Sequence, residues 1–556
     1  MLPSLKKQLE DLLEKSVREN YDLPPQTPPA VLEIPVDKAH GEFSSNVALR
    51  LAKSFRQTPL DFAVHICRII EQNIPGTALH DKVVKVEAKA PGFINFYLTP
   101  EALYDVLYQV FAEGSHYGSL KRDPSSKLQI EFVSANPTGP LSVAHARQAA
   151  VGDALANILG HLGFAVQKEY YVNDEGNQIN ILGRSIEQRA REMLGEKIDF
   201  PQDGYQGEYI KEMAKEFCEK NNIARTADLA GREEQFRRYG VTHLLGVIRK
   251  ELDDFGVHFD IWSKQSHIAT PQNIETTLNE FRQKGFLYEK EGALWFRSTT
   301  FGDDKDRVVR KSDGSYTYLT PDIVYHKNKF ERGFKKIINI WGPDHHGYIP
   351  RIKASVEALG HNQKDVDVLI VQLATIYRAG KPLSMSTRRG QYISLREVMD
   401  EVGGDAARFF FLMRRINAHL DFDLELAKKE TPENPVYYVQ YAHARIHSIL
   451  DKAQEAKLKA KTAQLKLLNK GEELELIKTI GQFPDALSIC HHQLDPFALV
   501  NYVQELATSF HKFYDQHRVI DEDQELSSER LALIEAARIV LANGLRLLGV
   551  NAPQRM

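Results

Sequence analysis

Residues 131–147, with the sequence EFVSANPTGPLSVAHAR, carry the residue types that can hold a bound phosphate. The segment begins on an apolar run, Leu128–Val133, turns through Asn, Pro and Gly, and leads into a helical pattern from Ala144 to Leu162. A strand that breaks into a helix in this way presents free backbone N–H groups at the carboxyl end of a sheet, where they attract anions. His145 lies in the first turn of this helix, although a histidine there is also a common cap or core residue. The segment therefore predicts a phosphate site, with ATP as the first hypothesis.

A second segment, Ile340–Gly347 (IWGPDHHG), directly follows an apolar run that is typical of a strand. A glycine at a strand end suits the close approach of a nucleotide. Asp344, His345 and His346 are also metal-ligand types. Adjacent side chains seldom chelate one ion without a distant partner, so we expect a nucleotide here and no metal.

A cationic segment, Leu383–Gly390 (LSMSTRRG), lies close to Lys381. On its pattern alone it is either a solvated turn or a functional loop. When ATP is split at its α-phosphate, negative charge develops and must be neutralised. Lys381, Arg388 and Arg389 are the cations within reach, and the sequence leaves open which of them serves.

Asp322 is a lone carboxylate in an apolar and aromatic stretch, Tyr316–His326 (YTYLTPDIVYH). It is either a helix cap or turn residue, or a partner for a guanidinium group. A carboxylate matches the planar donors of a guanidinium bidentately, which gives specificity as well as binding energy. The second interpretation predicts a ligand that carries a guanidinium group.

The composition limits the class of protein. The chain has 556 residues, 42% hydrophobic and 26% charged, which fits a globular protein in water with three or more domains. No apolar run approaches the roughly 20 residues that span a bilayer, and the charged amphipathic start lacks a secretory core. The widely spaced Cys67, Cys218 and Cys490 show no C-x-x-C pattern, which argues against structural zinc and favours the cytosol. The net charge of −4 argues against non-specific coating of nucleic acid.

The elements that must position these residues predict an α/β fold in three parts. Residues 1–115 are typical of a small α/β domain. Residues 116–415 alternate apolar runs with helices, which predicts a doubly wound parallel sheet with a helical insertion at about 180–290. Residues 416–556 have amphipathic helical spacing and predict an all-α bundle. The strand candidates of the sheet are Leu128–Val133, Ala165–Tyr171, Ala293–Phe296, Lys336–Trp341 and Val366–Gln372.

Taken together, these motifs resemble those of arginyl-tRNA synthetases, which are class I aminoacyl-tRNA synthetases. The segment Glu131–Asn180 is similar to the HIGH region of that family, and LSMSTRRG is similar to its KMSKS loop. The stretches around Asp322 and Gly342 are similar to its arginine and adenosine motifs. The similarity covers nearly the whole chain and is weakest at 180–290 and 452–475. The chain departs from the family pattern at Ser142, Ala144 and Ser384, where the family has His, Gly and Lys.

The resemblance implies a Rossmann-type catalytic sheet and the attachment of L-arginine to its tRNA through arginyl-adenylate, with release of AMP and pyrophosphate. It implies ATP with Mg²⁺ and an activation step that needs bound tRNA. We also expect no structural metal, no membrane association, and a monomer in the cytoplasm. The catalytic candidates are His145, Ser142, Lys381 and Arg388. The ATP-binding candidates are Pro137, Gly139, Ala144, His145, Gly342, Asp344, His345, Met385 and Ser386. The arginine-binding candidates are Glu131, Ser134, Asn136, Tyr318, Asp322 and His346.

The two terminal parts resemble RNA-binding domains of the same family. The N-terminal part resembles the extra domain that contacts the tRNA elbow, with Phe93 and Asn95 as candidate contacts. The C-terminal part resembles the α-helical anticodon-binding domain. Aromatic residues mixed with donors are typical of single-stranded RNA recognition, but aromatics at helical spacing also form cores. The candidates here are Tyr437, Tyr441, Arg445 and Met556.

Two alternative functions are left open by the sequence. The departures at Ser142, Ala144 and Ser384 would suit a tRNA-binding paralogue without catalysis. A related ATP motif would also suit a small-molecule nucleotidyltransferase, although the RNA-binding pattern of the C-terminal part argues against it. ATP–pyrophosphate exchange with arginine, with and without tRNA, distinguishes the three.

Overall fold

The N-terminal part is a small antiparallel sheet covered by helices. The computed structural model describes residues 5–35, 37–121, 123, 125–383 and 393–556. The first elements are α1 (Leu5–Arg18), β1 (Phe43–Ser45), α2 (Val47–Leu51), α3 (Pro59–Asn73), β2 (Val83–Lys89), β3 (Phe93–Leu98) and α4 (Pro100–Glu113). The strands pair in the order β1-β3-β2. Helix α1 buries Leu5, Leu9 and Leu12 along one face, because residues four apart in a helix point to the same side.

The middle part contains the central sheet and its covering helices. Its strands are β4 (Lys127–Glu131), β5 (Ala165–Val172), β6 (Ile261–Lys264), β7 (Leu287–Lys290), β8 (Ala293–Phe296), β9 (Arg307–Arg310), β10 (Lys336–Trp341), β11 (Val366–Ile370), β12 (Ala374–Arg378), β13 (Lys381–Pro382) and β14 (Leu420–Asp423). Its helices are α5 (Val143–His161), α6 (Asn177–Met193), α7 (Glu208–Lys220), α8 (Glu233–Asp254), α9 (Gln265–Ile268), α10 (Pro271–Gln283), α11 (Leu319–Glu331), α12 (Ile349–Ala358), α13 (Leu395–Val402), α14 (Gly404–Leu412) and α15 (Leu424–Ala427).

In the part of the chain that the structure describes, five parallel strands form the central sheet in the order β11-β10-β4-β5-β6. Ile337, Ile338 and Ile340 of β10 are buried on both faces of the sheet, as a parallel sheet covered by helices requires. The chain leaves β4 toward β5 on one side and later adds β10 on the other side. In open α/β sheets, ligands bind at the carboxyl ends of the strands where the strand order reverses in this way. The candidate site is therefore expected above β4 and β10.

Two predicted features of the middle part are wrong. Ala293–Phe296 forms β8, which pairs with β7 and β9 in a separate antiparallel sheet. Its side chains alternate between buried and partly exposed, which is typical of an antiparallel strand. The outer strand of the parallel sheet is instead β6, which lies inside the predicted helical insertion. This strand is only four residues long, and Trp262 holds it by stacking on Tyr170 with ring centroids 4.3 Å apart.

The C-terminal part is helical, and it contacts both other parts. Its helices are α16 (Pro435–Glu455), α17 (Gly471–Gly481), α18 (Phe483–Gln493), α19 (Phe497–Gln516) and α20 (Gln524–Leu547). The Tyr104 hydroxyl of α4 donates to the Leu468 carbonyl of this part at 2.9 Å. Strand β14 lies beyond the predicted boundary at residue 416, yet it pairs with β12 of the middle part.

A parallel sheet between a small α/β part and a helical C-terminal part confirms the predicted fold class. The exact domain boundaries at 115 and 415 stay predictions. Among the described helices, none has both the length and the apolar character that crossing a bilayer requires.

Candidate active site

A cavity of about 370 Å³ lies at the reversal of strand order, above the carboxyl ends of β4 and β10. The loop after β4, the first turns of α5 and the loop after β10 form its walls. The predicted site residues that line it are Glu131, Ser134, Asn136, Ala144, His145, Asp322, Gly342, Asp344 and His345. The structure thus brings together residues from three separate sequence segments in one cavity.

Two predicted arginine-binding residues do not line this cavity. Tyr318 precedes the first residue of α11 and is 72% exposed. His346 lines a different concavity, beside Arg415. The 3₁₀ helix Pro343–Tyr348 carries both histidines, and each step around a 3₁₀ helix turns the side chain by about 120°. Adjacent His345 and His346 therefore face different surfaces, which corrects the expected position of His346.

The N-terminus of α5 is capped by a contact between Ser142 and His145. The Ser142 N–H donates to His145 Nδ1 at 3.2 Å, and the Ser142 Oγ lies at the same distance. Because Nδ1 accepts a hydrogen bond, the network assigns the ring proton to Nε2. Burial lowers the pKa of His145 to about 4, so the imidazole is uncharged near neutral pH. His145 can therefore act as a neutral donor from Nε2, and not as a cation.

Ser142 does not line the cavity, and neither do Pro137 and Gly139. They belong to the turn that leads from β4 into α5, so they shape the site indirectly. This position differs from the predicted direct contact of Pro137 and Gly139 with ATP. The backbone of the turn is tied to the insertion, because the Tyr209 hydroxyl donates to the Thr138 carbonyl at 2.7 Å.

The loop directly after β4 has an unusual backbone. Val133 has a φ of 67° and Ser134 a φ of 38°, and the Ser134 N–H donates to the Phe132 carbonyl at 2.9 Å. A left-handed φ is costly for a β-branched residue such as valine and occurs mainly where function requires it. Ser134 Oγ stabilises the loop, since it donates to Glu131 Oε1 at 3.0 Å and accepts from the Tyr171 N–H at 3.1 Å. These contacts fix the loop as one wall of the cavity.

Helix α5 lies very close to the sheet because of one glycine. A Cβ at Gly152 would lie 2.2 Å from Cγ of Phe132, which no real contact allows. Gly342 differs from it, because a Cβ there would meet only Gln148 at an ordinary 3.5 Å. The glycine at 152 is therefore needed for packing, whereas the glycine at 342 leaves open space beside the cavity.

Asp322 is the most perturbed carboxyl group of the cavity. Desolvation raises its pKa to about 7, and the nearby Glu131 charge acts in the same direction. The Tyr348 hydroxyl donates to Asp322 Oδ2 at 2.6 Å and Lys329 is nearby, and both favour the ionised form. A carboxylate in this environment gains most from a bound cationic donor.

The predicted leaving-group loop is only partly within the described residues. Lys381 lies exposed in the short strand β13. The predicted residues Met385, Ser386 and Arg388 lie outside the described residues. After them, the Ile393 carbonyl accepts from the Val143 N–H at 3.2 Å, and the Leu395 N–H donates to the Leu141 carbonyl at 2.8 Å. The returning chain is thus anchored at the N-terminus of α5.

Three family models match the chain in succession. The model described as "Arginyl tRNA synthetase N terminal domain" matches residues 4–98. The model described as "tRNA synthetases class I (R), catalytic domain" matches residues 107–415, and "DALR anticodon binding domain" matches residues 439–556. The chain belongs to the arginyl-tRNA synthetase family. This confirms the resemblance that the motifs predicted.

Curated relatives resemble this chain over almost its full length. The arginine–tRNA ligase of Bacillus licheniformis is 43% identical over 562 residues, which is 99% of each chain. The arginine–tRNA ligase of Bacillus subtilis is 45% identical over 96% of this chain and 95% of its own length. The solved arginyl-tRNA synthetase of Thermus thermophilus covers 99% of this chain with a TM-score of 0.78, and at 20% identity it supports the fold alone.

An aromatic ladder lies on the helical C-terminal part, most of which matches the anticodon-binding model. The rings of Tyr437 and Tyr441 are nearly parallel, with centroids 6.1 Å apart, and Tyr441 stacks on His511 of α19 at 5.9 Å. Tyr441 is partly exposed, and Met556 is exposed near Tyr437. Stacked aromatic faces at a surface suit unpaired RNA bases. His511 was not predicted, because it comes from a helix far along the sequence.

The other predicted RNA contacts lie in contrasting environments. The Arg445 guanidinium lies 4.9 Å from the centre of the Tyr514 ring and donates to its hydroxyl at 2.6 Å. Phe93 is partly buried in β3. Asn95 is 1% exposed and accepts from Ser44 Oγ at 2.7 Å. Because its side chain points into the domain, Asn95 is structural in this conformation and does not present itself to RNA, which corrects the prediction.

Several site residues were missed, and most of them lie on one face of α11. Tyr325, His326 and Lys329 were missed, and they follow the predicted Asp322 at i+3, i+4 and i+7, the spacing that marks the inner side of a helix. Polar residues at such positions are a signal, since a helix normally buries apolar side chains there. Tyr348 was missed because it lies just beyond the IWGPDHHG run. Among the described residues, no group of three or more His, Cys, Asp or Glu side chains could hold a metal ion.

Proposed function

We propose that this protein attaches arginine to its tRNA at the expense of ATP. The observation that carries the proposal is Asp322, a desolvated carboxylate at a cavity that the N-terminus of α5 also lines. A guanidinium suits the carboxylate, and phosphates suit the helix N-terminus. One cavity therefore offers both a cation site and an anion site. The arginine–tRNA ligase names of the full-length relatives support the same activity.

In the first step, a carboxylate oxygen of arginine attacks the α-phosphorus of ATP, and pyrophosphate leaves with the electrons of the broken P–O bond. Asp322 and Glu131 hold the substrate cation, while Ser134 and Asn136 hold its α-carbon end. His145 donates from Nε2 to the phosphates as negative charge develops. The adenosine lies against Ala144, Gly342, Asp344 and His345. The pyrophosphate end of ATP is bound by Lys381, Met385, Ser386 and Arg388.

In the second step, a ribose hydroxyl of the terminal tRNA nucleotide attacks the carbonyl carbon of arginyl-adenylate, and AMP leaves. The protein acts by positioning and by charge stabilisation, and forms no covalent bond of its own. The stacked rings of Tyr437 and Tyr441, with Arg445 and Met556, receive the anticodon. Activation depends on bound tRNA.

We further propose that Mg²⁺ enters the site with ATP, as a hard cation that prefers phosphate oxygens. It would be held by the substrate and not by a protein cage, and it would neutralise phosphate charge during activation. The protein acts as a monomer in the cytoplasm, where the buried thiols of Cys67, Cys218 and Cys490 stay reduced.

The test is ATP–pyrophosphate exchange with the purified full-length protein. Exchange that needs both arginine and its tRNA supports the proposal. No exchange with tRNA, together with tight tRNA binding, would identify a non-catalytic tRNA-binding protein. Exchange with an acceptor other than an amino acid would identify a small-molecule nucleotidyltransferase, and exchange with a different amino acid would overturn the assignment to arginine.

A further inference from the structure

Lys329 is completely buried beneath the cavity. Its side chain has no exposed surface, and Nζ lies 2.5 Å from Glu131 Oε2 and 2.9 Å from Asn339 Oδ1. The ammonium also lies 4.2 Å from the centre of the Tyr325 ring. A lysine is almost never fully buried without a partner. A buried ion pair often stabilises a protein no more than apolar residues of the same size would. Stability alone therefore does not explain why Lys329 lies beside the substrate cavity.

A one-way hydrogen-bond chain connects Lys329 to the backbone of Asp322. The Lys329 ammonium donates to the Asn339 carbonyl oxygen, and the Asn339 amide donates to His326 Nε2 at 3.0 Å. His326 Nδ1 then donates to the Asp322 carbonyl at 2.8 Å. Lysine only donates and a carbonyl only accepts, so the direction of every bond is fixed. Burial also lowers the pKa of His326 to about 3, which keeps Nε2 free to accept.

The charges of Glu131, Lys329 and Asp322 add up to one net negative charge when all three groups are ionised. Glu131 and Lys329 compensate each other, which leaves Asp322 as the uncompensated carboxylate of this group. Tyr348 and Tyr171 face Asp322 from the other elements, and burial raises the pKa of both hydroxyls, so they stay neutral. A bound arginine carries one net positive charge. The group of Glu131, Lys329 and Asp322 therefore carries one net negative charge, which matches one guanidinium, whereas without Lys329 this group would hold two unpaired carboxylates.

We propose that Lys329 is a positioning residue that fixes the Glu131 carboxylate and balances its charge, so that Asp322 is ionised and ready for the guanidinium of arginine. The inference rests on the proposed function, because it assigns a role at the same arginine site. Lys329 acts through Glu131 and Asp322 and does not touch the substrate itself.

The experiment measures arginine binding to the full-length protein by calorimetry, as a function of pH. Wild-type affinity should be constant above about pH 7 and fall below it, as Asp322 takes up a proton. We call the pH below which the affinity falls the pH break. In Lys329→Met, the pH break should move upward by about one pH unit or more, because an opposite charge near a carboxyl lowers its pKa by about that amount. The arginine Kd near pH 7 should therefore rise at least about fivefold. A break at the wild-type pH in Lys329→Met would overturn the inference.

Two further variants separate charge balance from folding. Glu131→Gln/Lys329→Met removes both charges and avoids a lone buried carboxylate, so it should fold even where the single variant does not. Its pH break should return close to the wild-type position, and a break that stays raised would overturn the inference. Lys327→Met is the matched control, since Lys327 lies on the same helix but pairs with Glu280 outside the cavity, and it should leave the break unchanged. If the wild-type protein binds no arginine, the proposed function and this inference both fail.

Discussion

At the scale of single residues, we expect Asp322 to determine which substrate the cavity accepts. Asp322→Asn removes the charge and keeps the shape. Loss of one partner of a desolvated charge pair costs about 2 kcal/mol or more, so the KM for arginine should rise at least about thirtyfold. The KM for ATP should stay within about twofold of wild type, because no ATP phosphate would contact this group.

ATP–pyrophosphate exchange with tRNA gives both constants for this variant. The exposed Asp304 lies on a loop outside the cavity, and Asp304→Asn serves as the control. Equal losses for arginine and ATP in Asp322→Asn would count against a guanidinium site.

His145 is a donor whose charge does not change near neutral pH. Its pKa of about 4 lies well below the working range, so the ring is neutral from about pH 6 upward. His145→Ala should lower the rate of activation by about a hundred- to a thousandfold, the usual loss when one transition-state donor is removed. The same variant should keep the pH break of arginine use near 7, since that break belongs to Asp322. Single-turnover activation across pH measures both, and a wild-type rate would remove His145 from the reaction.

At the scale of elements, the contact between α5 and Phe132, the residue after β4, sets the position of the helix N-terminus that is proposed to bind phosphate. Gly152→Ala would force a Cβ into the Phe132 ring, and overpacking of this kind costs about 1–3 kcal/mol. The helix must move away from the sheet, so His145 should move with it and the KM for ATP should rise. Thermal unfolding and exchange kinetics measure the two effects.

Gly160 offers a matched control at the other end of the same helix. A Cβ there meets nothing within 4 Å. Gly160→Ala should be neutral or stabilise the protein by up to about 1 kcal/mol, because alanine favours the helix. If both variants lose stability to the same extent, close packing at Gly152 is not the cause.

The aromatic ladder of α16 and α19 is the element expected to bind RNA. Tyr441→Ala removes the middle ring of the stack, and loss of one aromatic platform weakens RNA binding by about 1–3 kcal/mol. The Kd for tRNA should therefore rise about five- to a hundredfold, while arginine affinity stays unchanged. Ile489→Ala, which alters an exposed apolar residue of α18, is the control. Filter binding measures the effect, and an unchanged tRNA Kd in Tyr441→Ala would place the anticodon elsewhere.

At the scale of the whole molecule, Arg408 connects the C-terminal part with α5, the helix whose first turn lines the candidate site. Its buried guanidinium donates to Asp153 of α5, to the Phe255 carbonyl at 2.9 Å and to the Leu548 carbonyl at 3.3 Å. Arg408→Met leaves Asp153 without this partner, and breaking a buried pair costs about 3–5 kcal/mol. Denaturant unfolding should show this loss. Arg184→Met, which breaks an exposed pair with Asp203, should cost less than about 1 kcal/mol. If Arg408→Met and Arg184→Met lost the same free energy of unfolding, the buried contacts of Arg408 would contribute no more to stability than an exposed ion pair.

The family, the fold class and the segments that meet at the cavity could all be predicted from the amino-acid sequence. Local sequence patterns predict these features, because a strand, a Pro/Gly turn and a helix start each depend on residues that are neighbours along the chain. The polar stripe of α11 was also readable in principle, since Asp322 and Lys329 share one helix face. Five of the candidate ATP-binding residues predicted from motifs line one cavity: Ala144, His145, Gly342, Asp344 and His345.

Which side chains meet, and what charge they carry, became clear from the folded structure. Lys329 reaches Glu131 across 198 positions of sequence, and Tyr348 reaches Asp322 from a separate turn. The sequence also missed β6, because a four-residue edge strand has little pattern of its own, and it placed Asn95 on the surface although its partner Ser44 holds it inside. The pKa of Asp322 depends on desolvation and on charges brought in by folding, so no local pattern encodes it. The sequence predicted the candidate site residues, and folding set their protonation and their partners.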